Sequence, residues 1–180
     1  MQNEEQLIAR LQSPDQKEEA FRELLKLYKE RLYWHIRKIV LDHDDADDVL
    51  QNTFIKIYRH IEGFKGESKL FSWLYRIATN EAISFLNQKA KRQNISIEKL
   101  KNNTLDSLKE DVYFEGDAMQ IKLQKAIATL PEKQQLVFNM KYFEEITYEE
   151  LSEILDTSVG ALKASYHLAV KKITAYLIED

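Results

Sequence analysis

Cysteine is absent from this 180-residue chain, which excludes disulfides and thiolate metal sites. Glycine and proline are scarce, four and two residues respectively, so the chain has few of the turn signals that an all-β fold needs between its strands. No segment alternates apolar and polar residues as a half-buried strand would. Long apolar runs are missing too: none approaches the roughly 20 residues of a membrane-spanning helix, and Met1 to Glu5 lacks the basic-then-apolar order of a signal peptide. A cytoplasmic protein without stable membrane insertion is expected. The last absence is a basic block. Net charge is −4; residues 1–92 carry 16 basic and 15 acidic side chains, and residues 119–180 carry 7 and 9. Freestanding nucleic-acid binders are usually strongly basic, so DNA binding here needs affinity from a further partner.

What is present is helical. Ser13 predicts a cap, Pro14 the first helical position and Gln16 the close of a capping box. Apolar residues from Phe21 to Ile39 then keep helical spacing. An acidic break, Asp42 to Asp48, precedes a second periodic run from Val49 to Ile61, with Asp44 or Asp45 where the helix dipole favours negative charge. Glu62 to Lys69, with Gly63 and Gly66, reads as a loop, and Ser68 is placed to cap a third long helix that ends on Lys89 to Arg92. Residues 93–118 are polar, with Leu100, Leu105 and Leu108 too sparse for a core, and read as a flexible linker with short helical pieces. Fully extended, it would reach about 85–90 Å at roughly 3.3–3.6 Å per residue. Helical periodicity resumes from Met119. The predicted fold is all-α: a helical domain over 1–92, a linker over 93–118 and a second helical domain over 119–180.

The second domain holds the most specific local pattern. Thr147 and Glu150 form a capping box, Leu151, Ile154 and Leu155 make one apolar stripe, and Asp156 tolerates the left-handed turn that follows. Ser158 caps the next helix. On that helix Leu162, Tyr166, Ala169 and Ile173 are predicted to be buried, while Val159, Gly160, Lys163, Ala164, His167 and Lys171 share the opposite face. Two short helices with a tight turn, small residues at the start of the second and a lysine one turn later outline a helix-turn-helix able to enter a DNA groove.

Read together, the two halves are more specific. Asp45 to Tyr58, then Phe64 to Ser68, then Phe71 to Asn80 resemble region 2 of bacterial sigma factors; Leu130 to Lys133 with Ser158 to Lys163 resembles their region 4. With no third domain between, the chain is similar to the extracytoplasmic-function group of the sigma-70 family. The resemblance departs in two places. Asp156 stands where the turn usually has glycine, and Ser84 and Asn87 to Arg92 replace the acidic and paired arginine residues common at the end of the third helix.

The resemblance implies three contact surfaces. Asp45, Asp48, Val49, Gln51, Asn52 and Phe54 match the helix that docks on the clamp of core RNA polymerase. Phe64, Lys65, Gly66, Ser68, Lys69, Trp73, Arg76 and Asn80 match the part that captures the minus-ten promoter element as an unpaired strand, where cations and aromatic rings suit single-stranded DNA. Val159, Gly160, Lys163, Ala164 and His167 would face bases of the duplex minus-thirty-five element, with Lys133, Lys141, Thr147, Ser158 and Lys171 nearer its backbone. An anti-sigma factor is a further expected partner. No catalytic residue, metal or cofactor is expected, and the protein is read as a non-enzyme.

Two rivals remain at this level. A stand-alone helix-turn-helix regulator would bind duplex DNA tightly by itself, which the low basic charge disfavours. A metal-dependent hydrolase would use the Asp42–Asp48 cluster. As an EF-hand that cluster fails, because a loop starting at Asp42 puts Asp47 where glycine is needed and Thr53 where a bidentate glutamate is needed.

Overall fold

A computed structural model describes residues 2–107 and 118–178, and in it the all-α expectation holds: among the described residues every regular element is helical. The elements are α1 (Gln2–Leu11), α2 (Lys17–Val40), α3 (His43–His60), a single 3-10 turn (Ile61–Gly63), α4 (Leu70–Gln93), α5 (Ile97–Ser107), α6 (Ala118–Ala128), α7 (Glu132–Tyr142), α8 (Tyr148–Leu155) and α9 (Val159–Ile178). Helices α1 to α4 pack as one bundle, α6 to α9 as another.

The caps explain most of the boundaries. Asp42 accepts a hydrogen bond from the Asp45 amide at 2.9 Å and starts α3, whose first turn is acidic as the helix dipole favours. Thr147 and Glu150 complete the predicted capping box on α8, Asp156 ends that helix in the left-handed region at φ 48°, and Ser158 Oγ accepts from the Ala161 amide at 3.3 Å. Two expectations need correction. Ser13, Pro14 and Asp15 lie in a turn, not in a helix, and α2 starts at Lys17 without a side-chain cap; the turn is what lets α1 fold back onto α2. Ser68 does not cap α4 either, since the N-cap position is Lys69.

The polar stretch after α4 also differs from a simple spacer. Its Leu100 joins the main core and Leu105 packs with Leu41 and Ala128, so α5 is tethered by contacts distant in sequence; Leu108 lies outside the described residues. The main core itself runs through both bundles. Ile36, Leu74 and Ala78 of the first share one buried cluster with Val137, Met140, Leu151 and Ile154 of the second, while Ile127, Phe138, Ala169 and Ile173 form a smaller core peculiar to the second.

Candidate nucleic-acid and partner surfaces

Between α2 and α3 lies a groove of about 750 Å³. Its floor is aromatic: Phe21 meets Phe54 and Tyr58 edge-on, with ring centroids 6.2 and 5.0 Å apart. Asp47 and Asp48 stand on its rim, Gln51 lines it, and Ile55 adds apolar surface at 45% exposure. An apolar trough with a carboxylate edge suits a helix that carries both aliphatic and basic residues. Of the residues predicted for this role, Asp48, Gln51 and Phe54 line the groove. Asn52 is exposed outside its lining. Val49 is 1% exposed and packs into the core. Asp45 is turned to α4, where it pairs with Lys89; burial pushes its carboxyl pKa up, and the attraction of Lys89 only partly offsets that. Tyr58, Ile55 and Phe21 are not among the residues that the sequence assigns to this surface, because their part in the groove depends on how α2 and α3 pack.

The acidic run does not converge on a metal. Asp42 caps α3, Asp45 binds Lys89 and Asp47 lies 3.6 Å from His43; among the described residues no set of three or more His, Asp or Glu side chains is arranged to hold an ion.

The loop before α4 is built around Phe64, which is buried against Trp73 with ring centroids 5.2 Å apart. Gln12 from α1's end donates to the Phe64 carbonyl at 2.7 Å and fixes the loop. Gly66 sits at φ +72°, a left-handed conformation that glycine takes without cost. Lys65 and Gly66 are exposed, Ser68 and Trp73 are partly so. Along α4, Lys69, Arg76 and Asn80 are exposed, and the first two reach across to α8: Lys69 Nζ lies 3.1 Å from Glu150 and Arg76 Nε donates to the Glu153 carbonyl at 3.1 Å. Phe71 packs on Tyr75 and Arg31, so its ring serves the fold.

On α9 the predicted division of faces is observed. Leu162, Ala169 and Ile173 are buried and Tyr166 half-buried, whereas Gly160, Lys163, Ala164, His167 and Lys171 are exposed and Val159 partly so. A Cβ built on Gly160 would meet nothing. Lys133 is exposed. Lys141 is committed internally, donating to the Ile146 carbonyl at 3.2 Å. Tyr148, which sequence reasoning missed, lies between two cations, with Lys141 Nζ 5.0 Å and Lys163 Nζ 5.6 Å from its ring centre.

The turn between α7 and α8 pushes Glu144 against the first bundle, 3.1 Å from His35 Nδ1 and 3.7 Å from Lys38 Nζ. Burial raises the Glu144 pKa, but attraction to and a hydrogen bond with His35, reinforced by Lys38 and Tyr75, outweigh it, and the pKa falls below its ordinary 4.5. A depressed carboxyl pKa means that the folded form prefers the ionised group. Its stabilising contribution is therefore complete above pH 4.5 and disappears as pH falls through the depressed value. Thermal melts across that acid range should show Glu144→Gln with a flatter pH dependence than the wild type; parallel curves would exclude this carboxylate as a contributor.

Comparison with known proteins identifies the family. The family model for sigma-70 region 2 matches residues 24–92 and that for sigma-70 region 4 matches 120–173. The chain is 32% identical over 166 residues to the ECF RNA polymerase sigma-E factor of Haemophilus influenzae, covering 88% of this chain and 86% of that protein. It is 29% identical over 158 residues to the ECF RNA polymerase sigma factor SigW of Bacillus subtilis, covering 83% and 84%. In fold it is similar to CnrH, solved in complex with the cytosolic domain of CnrY, with a TM-score of 0.72 at 20% identity over 98% of both chains. It is also similar to the sigma factor RpoE of Bartonella quintana, solved with the anti-sigma factor NepR, with a TM-score of 0.66 at 20% identity over 87% of this chain and 96% of that one. The chain belongs to the sigma-70 family, in its extracytoplasmic-function group.

Proposed function

We propose that the α2–α3 groove binds core RNA polymerase, the α4 face with its preceding loop captures the unpaired minus-ten strand, and the exposed face of α9 reads the duplex minus-thirty-five element. As a sigma factor the chain directs core RNA polymerase to promoters, and this assignment divides that task among its surfaces. The observation that carries it is the split face of α9: a helix buried through Leu162, Ala169 and Ile173 leaves Gly160, Lys163, Ala164 and His167 together in solvent. Small residues at the helix start permit close approach to base edges, and the lysine one turn on supplies a donor. The protein is a non-enzyme that works in the cytoplasm with polymerase. An anti-sigma factor is its further partner, a reading supported by the Bartonella protein's complex with the anti-sigma factor NepR.

Permanganate footprinting on a promoter that the holoenzyme opens tests the division of labour. Arg76→Ala should reduce thymine reactivity in the minus-ten element by roughly 10- to 150-fold, the loss of one charge-assisted contact of about 1.5–3 kcal/mol. Duplex protection upstream should persist. Equal loss at both elements would refute separate reading surfaces.

A further inference from the structure

The loop assigned to strand capture has few ties of its own. Among the described residues, Lys65 to Ser68 make no hydrogen bond or ion pair within the chain, so the shape of this stretch depends on how its two ends are held. Both ends are held from α1. At the near end Gln12 Nε2 donates to the carbonyls of Phe64 at 2.7 Å and Ile61 at 3.4 Å. At the far end the Leu70 amide, the first of α4, donates to Glu4 Oε1 at 3.0 Å.

The second of these ties supplies what α4 lacks locally. Lys69 occupies its N-cap position without a side-chain cap, and its first turn carries no acidic residue. A helix start leaves amides unpaired and bears a partial positive charge, so a negatively charged acceptor is favoured there. Glu4 provides one from 66 positions away.

Helix α1 is firmly seated for this task. Leu7 and Leu11 are buried in the main core, and Arg10 Nη1 lies 2.7 Å from Glu23 of α2. Just past the turn, Lys17 Nζ lies 2.6 Å from Glu62 of the 3-10 turn, a further hold on the near end. The Gln12 amide still bonds to the Ile8 carbonyl at 3.0 Å, so the helical path from Glu4 to Gln12 is continuous and about 12 Å long at roughly 1.5 Å per residue. One rigid element therefore sets the distance between the two ends of the loop.

We propose that Glu4 and Gln12 are positioning residues for minus-ten recognition: α1 braces both ends of the loop, and the braced loop selects bases while its cations attract any strand. That the loop reads DNA rests on the function proposed above; that α1 sets its shape does not. A loop ordered before binding loses less conformational freedom when the strand arrives, and the benefit falls on contacts that depend on its shape. Lys65 and Lys69 act on phosphates, which carry no sequence information.

Two readouts test the brace. The first is binding of holoenzyme to the non-template strand of a promoter that it opens, against the same strand with its minus-ten bases permuted. Glu4→Ala with Gln12→Ala should lower preference for the intact strand roughly tenfold, while affinity for the permuted strand stays within about twofold. Glu4→Gln keeps the acceptor and should keep the preference; Gln12→Glu loses the donor and should lower it. A variant harmed only in folding would lose both strands and core-enzyme binding together. The second readout is a spin label on Glu67→Cys, an exposed loop position in a chain with no other cysteine. In the free protein its motion should quicken in the double alanine variant and in Gln12→Glu, but not in Glu4→Gln. Unchanged motion, or an equal fall for both strands, overturns the proposal. Should the double alanine variant lose its helical circular dichroism, Gln12→Glu alone decides by the same criteria. Quicker motion with an unaltered preference would uphold the brace and overturn the assignment of the loop to the minus-ten strand.

Discussion

Asp48→Lys should weaken binding to core RNA polymerase by about 30- to 150-fold, equivalent to about 2–3 kcal/mol, while leaving the fold intact. Asp48 is exposed at the rim of the α2–α3 groove and, among the described residues, holds no ion pair or hydrogen bond within the chain. It also repels the partly buried Asp45, so reversal of its charge removes an internal repulsion. Surface changes of this kind usually alter stability by no more than about 0.5 kcal/mol. A titration with fluorescent core enzyme would therefore separate recruitment from folding. Asn52→Lys, on the same helix but outside the groove lining, should have a much smaller effect; equal losses would mean that general charge, not the groove, governs docking.

The second large effect is expected at Lys163. Lys163→Ala should cut discrimination between the preferred upstream element and a scrambled one by roughly 5- to 150-fold, the range of about 1–3 kcal/mol for a good base contact. The side chain is exposed and its ammonium lies 5.6 Å from the Tyr148 ring centre, so its loss removes no core contact. Binding competition with matched and scrambled duplexes, carried out with holoenzyme, measures the ratio. An unchanged ratio would mean that α9 is read in the wrong rotation or that the upstream element is recognised by DNA shape.

The parts of this fold that were legible in the sequence are those fixed by near neighbours. The α8 capping box, the left-handed Asp156 and the Ser158 cap each depend on residues within four positions, and each is observed. The division of α9 into a buried and an exposed face follows from helical spacing alone. Errors arose where distant residues decide. Pro14 and Gln16 read as a helix start, but the turn there serves the return of α1. Leu100 and Leu105 looked too sparse to matter because their partners, among them Leu41 and Ala128, come from elsewhere in the chain. Val49 and Asp45 share a helix with Asp48, yet one faces the core and the other faces Lys89. The seam between the bundles was invisible for the same reason, since His35 and Glu144 reveal nothing of each other locally.

The helix-turn-helix is also tied to the first bundle: α8 packs on α4, while Lys69, Arg76 and Asn80 beside it and the outer face of α9 stay exposed.

The measurement that bears most directly on the whole account is transcription from a random promoter library by core RNA polymerase of the source organism, with and without the protein. New start sites should appear only when the protein is present, each preceded by two shared sequence elements, and Lys163→Ala should blur the upstream one alone. An identical set of start sites with and without the protein would contradict the account.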